Sequence, residues 1–146
     1  MSRKAMRGIN TIHRCQMIFR SDRLEGDLCP AHHLFVFSIC HHPGRSQDEL
    51  ARTLCLNKST VTRTLGVLEE RGYVRRELNP QDKRQTLVYP TERMQALLPK
   101  IKSIAAEWNE LLTEGISEEE TEIFNSVLQR MEDNARRAIG SEGSEK

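Results

Sequence analysis

No stretch of this 146-residue chain sustains the roughly eighteen apolar residues that a membrane-spanning helix needs. The N-terminal segment MSRKAMRGINTIHRCQMIF is broken by charge too often to be the apolar core of a signal peptide. Cysteine is scarce, and Cys15, Cys29, Cys40 and Cys55 show no C-x-x-C spacing. They imply no disulfide framework and read as free thiols of a cytoplasmic protein. Catalytic signatures are missing too: there is no glycine-rich phosphate loop, no G-x-S-x-G, no H-E-x-x-H and no deaminase motif. The many C-terminal carboxylates are spaced for a solvated helix face, so no enzyme, cofactor or membrane partner is implied.

The length fits one domain of ordinary size, large enough for a core and small enough for a partner interface to complete it. A formal net charge of +1 conceals a division of the chain. Residues 1–106 hold 18 Lys plus Arg against 10 Asp plus Glu, whereas residues 107–146 hold 4 against 11. A basic body with an acidic end suggests an anionic partner, nucleic acid or surface, without choosing between them.

Apolar periodicity supplies the elements. Met6, Ile9, Ile12, Cys15 and Phe19 recur at three and four residues and predict a helix from Arg3 to about Arg20. The run LCPAHHLFVFSIC is ambiguous between strand and helix; Pro30 suits a first helical turn, and His41, His42, Pro43 and Gly44 signal a turn after it. We read helix there. Ser46 and Glu49 form an S-x-x-E box opening a short helix with Leu50, Ala51 and Leu54 inward. A tight turn at Cys55 and Leu56 leads to Asn57, a good N-cap, and to a helix that buries Val61, Leu65 and Leu68 and closes at Gly72. Two helices joined this closely make a helix-turn-helix, the second presenting Lys58, Ser59, Thr60, Thr62 and Arg63. Short hydroxyls admit a phosphate backbone closely, and Lys58, Arg63 and the helix dipole attract it.

Beyond Gly72 the period changes. YVRREL and QTLVYP are β-prone, and NPQDKR reads as the tip of a two-stranded wing made basic by Arg75, Arg76, Lys83 and Arg84. Such a tip suits a narrow minor groove, while Arg75, Arg76 and Ser46 are candidate phosphate contacts. Residues 92–113 read as one long helix that Pro99 should kink or break and that Gly115 ends. Ser117 and Glu120 form a second S-x-x-E box, before a last helix expected to bury Ile123, Phe124, Val127, Leu128 and Met131. The tail SEGSEK is expected to be disordered. Terminal helices with apolar stripes imply packing between copies, with an intramolecular bundle as the alternative.

The segment SQDELARTLCLNKSTVTRTLGVLEERGYVRRELNPQDKRQTLVYPT resembles the winged helix-turn-helix of the MarR family of bacterial transcription regulators, and the flanking helices match in order and length. The match rests on NKSTVTR, LEERGYVRR, the Asp-x-Arg of Asp82 and Arg84, and Thr91. The chain departs at Pro90 and Met94, where the family usually has Leu and Gly. The resemblance implies a mainly α fold with a small β-hairpin wing and a homodimer on a pseudo-palindromic double-stranded DNA operator. The recognition-helix residues would lie in the major groove and Arg84, oriented by Asp82 beside Lys83, in the minor groove. It divides the chain into a dimerisation helix over 1–28, the winged region over 29–91, dimerisation helices over 92–140 and the tail over 141–146. It implies a regulator, in the commoner family role a repressor, released by an unidentified small-molecule effector. Faces around His13, Met17 and Trp108 are the guess for an effector pocket.

Three other readings stand beside this one. Cys29 with His32, His33, His41 and His42 has the composition of a metal set, but residues 92–113 lack the His or Cys that zinc-sensing relatives would need, and surface or helix-end histidines are favoured. Cys15 lies where peroxide-sensing relatives carry a reactive thiol, yet Tyr73 and Tyr89 are both in the wing, which favours a buried, inert Cys15. A winged helix that binds protein and not DNA would need acidic or apolar residues on its outer face, against Lys58, Thr62 and Arg63.

Overall fold

The computed structural model describes residues 3–24 and 26–140. Its elements run α1 (Arg3–Arg23), α2 (His32–His41), β1 (Arg45–Ser46), α3 (Gln47–Leu54), α4 (Lys58–Glu70), β2 (Val74–Asn79), β3 (Asp82–Pro90), α5 (Glu92–Leu112) and α6 (Glu118–Ala138). The strands form one antiparallel sheet in the order β1-β3-β2. This is the mainly α, winged helix-turn-helix class that the sequence implies. The tail falls in residues 141–146, outside the described residues.

The helix-turn-helix is built from caps. Ser46 Oγ accepts the Glu49 N–H at 3.1 Å and donates to Glu49 Oε1 at 3.3 Å, so the S-x-x-E pair closes through two side-chain contacts at the start of α3. Cys55 turns the chain in the left-handed region at φ 53°, and Asn57 Oδ1 accepts the Thr60 N–H at 2.7 Å to start α4. At the other end Gly72, at φ +80°, donates to the Glu69 carbonyl at 3.0 Å and Tyr73 donates to Leu68 at 2.8 Å. That paired closure requires a left-handed residue, which glycine adopts without a Cβ clash. Thr91 caps α5 and ties the wing exit down: its N–H donates to the Tyr73 carbonyl at 3.0 Å and its hydroxyl to Gly72 at 2.6 Å. Pro90 therefore leaves the wing exit regular.

One core serves the winged region. Phe35, Val36 and Ile39 of α2, Leu50 and Ala51 of α3, Val61, Leu65 and Leu68 of α4, Val74 and Val88 of the sheet, and Met94 and Ile101 of α5 are all buried together.

Several expectations change. α2 is a helix, but it opens at His32, two residues after Pro30, once a turn has formed through the His32 to Cys29 and His33 to Pro30 bonds. A short β1 joins the wing, because Arg45 and Ser46 pair with Val88 and Leu87. The hairpin tip shrinks to Pro80 and Gln81, and a register shift beyond Leu78 places Asp82, Lys83 and Arg84 at the start of β3. α5 runs through Pro99 without a break. The terminal helices are not an intramolecular bundle: neither α1 nor α6 has a buried residue, and Ile123 and Phe124 are 60% and 57% exposed. Of the stripe that α6 was expected to bury, Ile123, Phe124 and Leu128 are exposed and Val127 and Met131 half-buried. Cys15 is likewise exposed, since it belongs to the uncovered flank of α1.

The adjacent histidines also move inward. His32 and His33 are buried where surface positions were expected, because α2 packs against both α5 and β3 and has little outer face. His32 Nδ1 accepts the Cys29 N–H at 3.3 Å. Neither ring nitrogen of His33 has a hydrogen-bond partner among the described residues. Burial first, then the positive charge of Arg20, pushes its pKa down to about 4.

The unfolded chain takes up this proton near the ordinary value of 6.5 and the folded chain only near 4, so the unfolded state binds more protons between the two. The urea unfolding midpoint should fall as pH drops from 6.5 towards 4. His33→Leu should flatten that slope; an unchanged slope in the variant would assign the acid sensitivity to other groups, the carboxylates and His32, whose pKa burial also lowers.

Candidate nucleic-acid interface

The front of α4 faces outward because its back is fixed. Val61, Leu65 and Leu68 are each 0% exposed, which turns Lys58, Ser59, Thr62 and Arg63 to solvent and leaves Thr60 half-buried. Two of these side chains are held by their own helix. Ser59 Oγ donates to Asn57 Oδ1 at 2.8 Å, and Thr62 Oγ1 donates to the Lys58 carbonyl at 2.9 Å. Lys58 meets Asp48 of α3 at 3.4 Å, but with the side chains 73% and 51% exposed the pair is weak and easily exchanged. Arg63 makes no hydrogen bond or ion pair with any described residue. The unpaired N–H groups of the first turn add their partial positive charge to the same end.

The wing tip carries a second cation. Arg84 grips Asp82 through Nε to Oδ1 at 3.1 Å and Nη2 to Oδ2 at 3.3 Å, and its backbone N–H also reaches Oδ1 at 3.1 Å. The guanidinium, then that backbone N–H, holds the Asp82 carboxyl below the usual carboxylate range. The Arg84 side chain is nevertheless 91% exposed, so it is oriented without being covered. Lys83 beside it is exposed and has no partner among the described residues.

The three candidate phosphate contacts separate. Ser46 is 2% exposed and its hydroxyl is used up in capping α3, so a phosphate cannot reach it; the expectation for this residue is corrected. Arg75 stays exposed, pairs with Glu77 and lies over the Tyr89 ring, 4.3 Å from its centroid. Arg76 is committed internally. Its Nη2 and Nε meet Glu69 Oε1 at 3.1 and 3.3 Å, its N–H meets Glu69 Oε2 at 2.8 Å, and its Nη1 donates to Gln47 Oε1 at 3.1 Å. Gln47 in turn donates to Thr62 Oγ1 at 3.4 Å. Arg76 thus braces the wing, α3 and the recognition helix α4 together, across the notch left by Gly66.

A second cluster escaped the sequence reading. Asp27 accepts the Tyr73 hydroxyl at 2.6 Å and sits 3.6 Å from Arg93 Nη2, while Arg71 donates to the Asp27 carbonyl. Arg93 also donates to the Arg71 carbonyl and stacks over Tyr73. The Tyr73 hydrogen bond, foremost, holds the Asp27 carboxyl below its ordinary range. These partners are far apart in the chain and no local motif announces them.

The residues guessed for an effector pocket stand on two helices, His13 and Met17 on α1 and Trp108 on α5. His13 is exposed; Met17 and Trp108 are half-buried. Trp108 packs on Phe19 with centroids 5.1 Å apart, and Arg23 bridges Phe19 to Glu107 by stacking and by two 3.2 Å hydrogen bonds, which fastens α1 to α5. An open groove of about 250 Å³ lies elsewhere, between α2 and α3, lined by Leu34, Phe37, Ser38, His41, His42, Thr53 and Leu54. Among the described residues no three His, Cys, Asp or Glu side chains are grouped to hold a metal. No helix of the described residues is long and apolar enough to cross a membrane.

A model of the MarR family matches residues 27–85, from Asp27 to the wing. Over nearly the full length, the chain is 30% identical to a MarR of known crystal structure, covering 96% of this chain and 95% of that one with a TM-score of 0.81. The chain belongs to the MarR family. It is also 26% identical over 111 residues, 76% of this chain and 74% of the relative, to the HTH-type transcriptional regulator YybA of Bacillus subtilis (strain 168). A MarR family regulator from Listeria monocytogenes, crystallised with 26mer DNA, shares the fold at TM-score 0.86 and 23% identity over 97% of both chains. This MarR-family chain is accordingly a transcriptional regulator and not an enzyme.

If Arg76 is a brace, removing it leaves Glu69 short of its partner. Arg76→Ala should cost about 1–2 kcal/mol in urea unfolding, discounted for partial exposure. A double-mutant cycle with Glu69→Ala should return a coupling of about 1 kcal/mol; additive effects would show that the contact carries no energy.

Proposed function

We propose that this regulator binds double-stranded DNA as a homodimer at a pseudo-palindromic operator, acts as a repressor in the cytoplasm, and is released by a small-molecule effector. The observation that carries the DNA reading is the recognition helix itself, with three fully buried apolar residues behind an exposed front of Lys58, Ser59, Thr62 and Arg63. In this reading these side chains and Thr60 meet the major groove, Arg84 with Lys83 enters the minor groove under the guidance of Asp82, and Arg75 meets phosphate. Arg76 and Ser46 support the contact surface from within. The Listeria relative, which has the same fold, was crystallised with a 26mer DNA, and this supports DNA as the partner.

The dimer is supported by what the terminal helices leave uncovered. Met6, Ile9 and Ile12 of α1 and Ile123, Phe124 and Leu128 of α6 are between 37% and 60% exposed. A 21-residue helix such as α6, with no buried residue in its own chain, gains its stability from a surface that covers its apolar side. A second copy provides one, and the two recognition helices would then meet successive major grooves about 34 Å apart. An effector that favours a different separation would release the DNA by population shift.

Anisotropy titrations against DNA from upstream of the gene and against a shuffled duplex test the reading: the native fragment should be preferred by about a thousandfold, with strong salt dependence. Equal weak binding to both would favour the protein-interaction alternative. Arg63→Ala should lose about 1–3 kcal/mol on the operator and less on random DNA. Phe124→Asp should dissociate the dimer in sedimentation at micromolar protein; an unchanged mass would put the interface elsewhere.

A further inference from the structure

α6 buries no residue in its own chain, yet one of its side chains is largely covered. Arg136 is 23% exposed. Its Nη1 donates to the Arg52 carbonyl at 3.4 Å and its Nη2 to the Thr53 carbonyl at 3.3 Å. Both oxygens belong to the last turn of α3, where a helix leaves carbonyls without intrahelical partners and the macrodipole gathers negative charge. Glu132, one turn earlier on α6, holds the guanidinium from the other side at 3.1 Å from Nε and 3.0 Å from Nη2. The arginine is therefore fixed at both its ends, as a cation placed where α3 needs one.

The position matters because α3 leads directly into the turn of the helix-turn-helix. The Arg52 carbonyl also accepts the Cys55 N–H at 3.2 Å, and Cys55 is the left-handed residue that turns the chain towards Asn57. Thr53 stands four residues before that cap. Two hydrogen bonds and one tight turn thus connect α6 to the start of α4 without passing through the core.

We propose that Arg136 is a positioning residue for DNA binding: it docks the last helix of the terminal lobe onto the end of α3 and so sets where each recognition helix stands relative to its lobe. The proposal rests on the reading of a two-headed DNA-binding protein. In such a protein the lobe fixes the separation of the heads only as firmly as the lobe grips them, and a flexible grip accepts half-sites at the wrong spacing.

The test uses the full chain and a duplex selected by the wild-type protein from a randomised pool, the same duplex with one base pair inserted between its half-sites, and a single half-site. Wild type should bind the expanded duplex much more weakly than the selected one. Arg136→Ala should shrink that penalty by about tenfold, within the usual range of coupling between sites, while the dimer mass and the half-site affinity stay unchanged. Amide exchange at residues 53–57 should quicken, and Arg136→Lys should restore part of the penalty. An undiminished spacing penalty in Arg136→Ala would overturn the proposal, and so would an equal loss on half-site and operator, which marks local damage to α3. Failure of wild type to select any duplex would instead refute the DNA-binding reading, and the proposal with it.

Discussion

Val61, Leu65 and Leu68 hold α4 in the only rotation that leaves its polar front free. Each is completely buried, and burying such a side chain is worth about 1.5–3 kcal/mol. A turn of the helix about its axis would expose all of them together and drive Lys58 or Arg63 into the core, at a cost that charge burial makes prohibitive. The caps do the complementary task along the axis: Asn57 fixes where the helix starts and Gly72 where it stops. Rotation and position of the exposed front of α4 are thus decided by the buried residues behind it and the caps at its ends.

Around that fixed helix, polar braces set the neighbouring elements. The bond set of Arg76 with Glu69 and Gln47 ties β2 and α3 to α4 on one side. The cluster of Asp27, Arg71, Tyr73 and Arg93 joins the loop after α1, the end of α4 and the start of α5 on the other. In both, a guanidinium meets its acceptors in fixed geometry, half-buried at Arg76 and exposed at Arg71 and Arg93. Together they explain how a small core supports a wing and a terminal lobe at defined angles.

Much of this is legible in the chain. Asn57, Gly72 and the box of Ser117 with Glu120 act as caps where their residue types predict them, because capping is local chemistry. The inward triad of α4 comes from helical spacing alone. The features hidden from the sequence depend on tertiary contact. Arg76 looks like any wing cation until Glu69 and Gln47 are brought beside it, and Ser46 gives no sign that its cap will be sealed from solvent. His32 and His33 are polar letters inside an apolar run, so burial on both sides of α2 overrides the ordinary surface preference of the residue type. β1 is only two residues long and has no period to detect. The stripe of α6 is plainly apolar in the sequence, but a single sequence does not say whether its own chain covers it.

The braces also change how the basic charge should be counted. Lys58, Arg63, Arg71, Arg75, Arg76, Lys83, Arg84 and Arg93 stand close together along the chain. In the fold, Arg76 is spent on Glu69, and Arg71 and Arg93 on Asp27 and its neighbours. Lys58, Arg75 and Arg84 are exposed beside Asp48, Glu77 and Asp82, so a phosphate gained there is partly an exchange of one anion for another. Only Arg63 and Lys83 of this group meet no acidic partner among the described residues. Counterion release scales with phosphates newly neutralised and not with cations present. On the proposed DNA reading, non-specific attraction would therefore be weaker than the composition of the winged region suggests, and a larger share of the binding energy would fall to the oriented contacts proposed for α4 and Arg84.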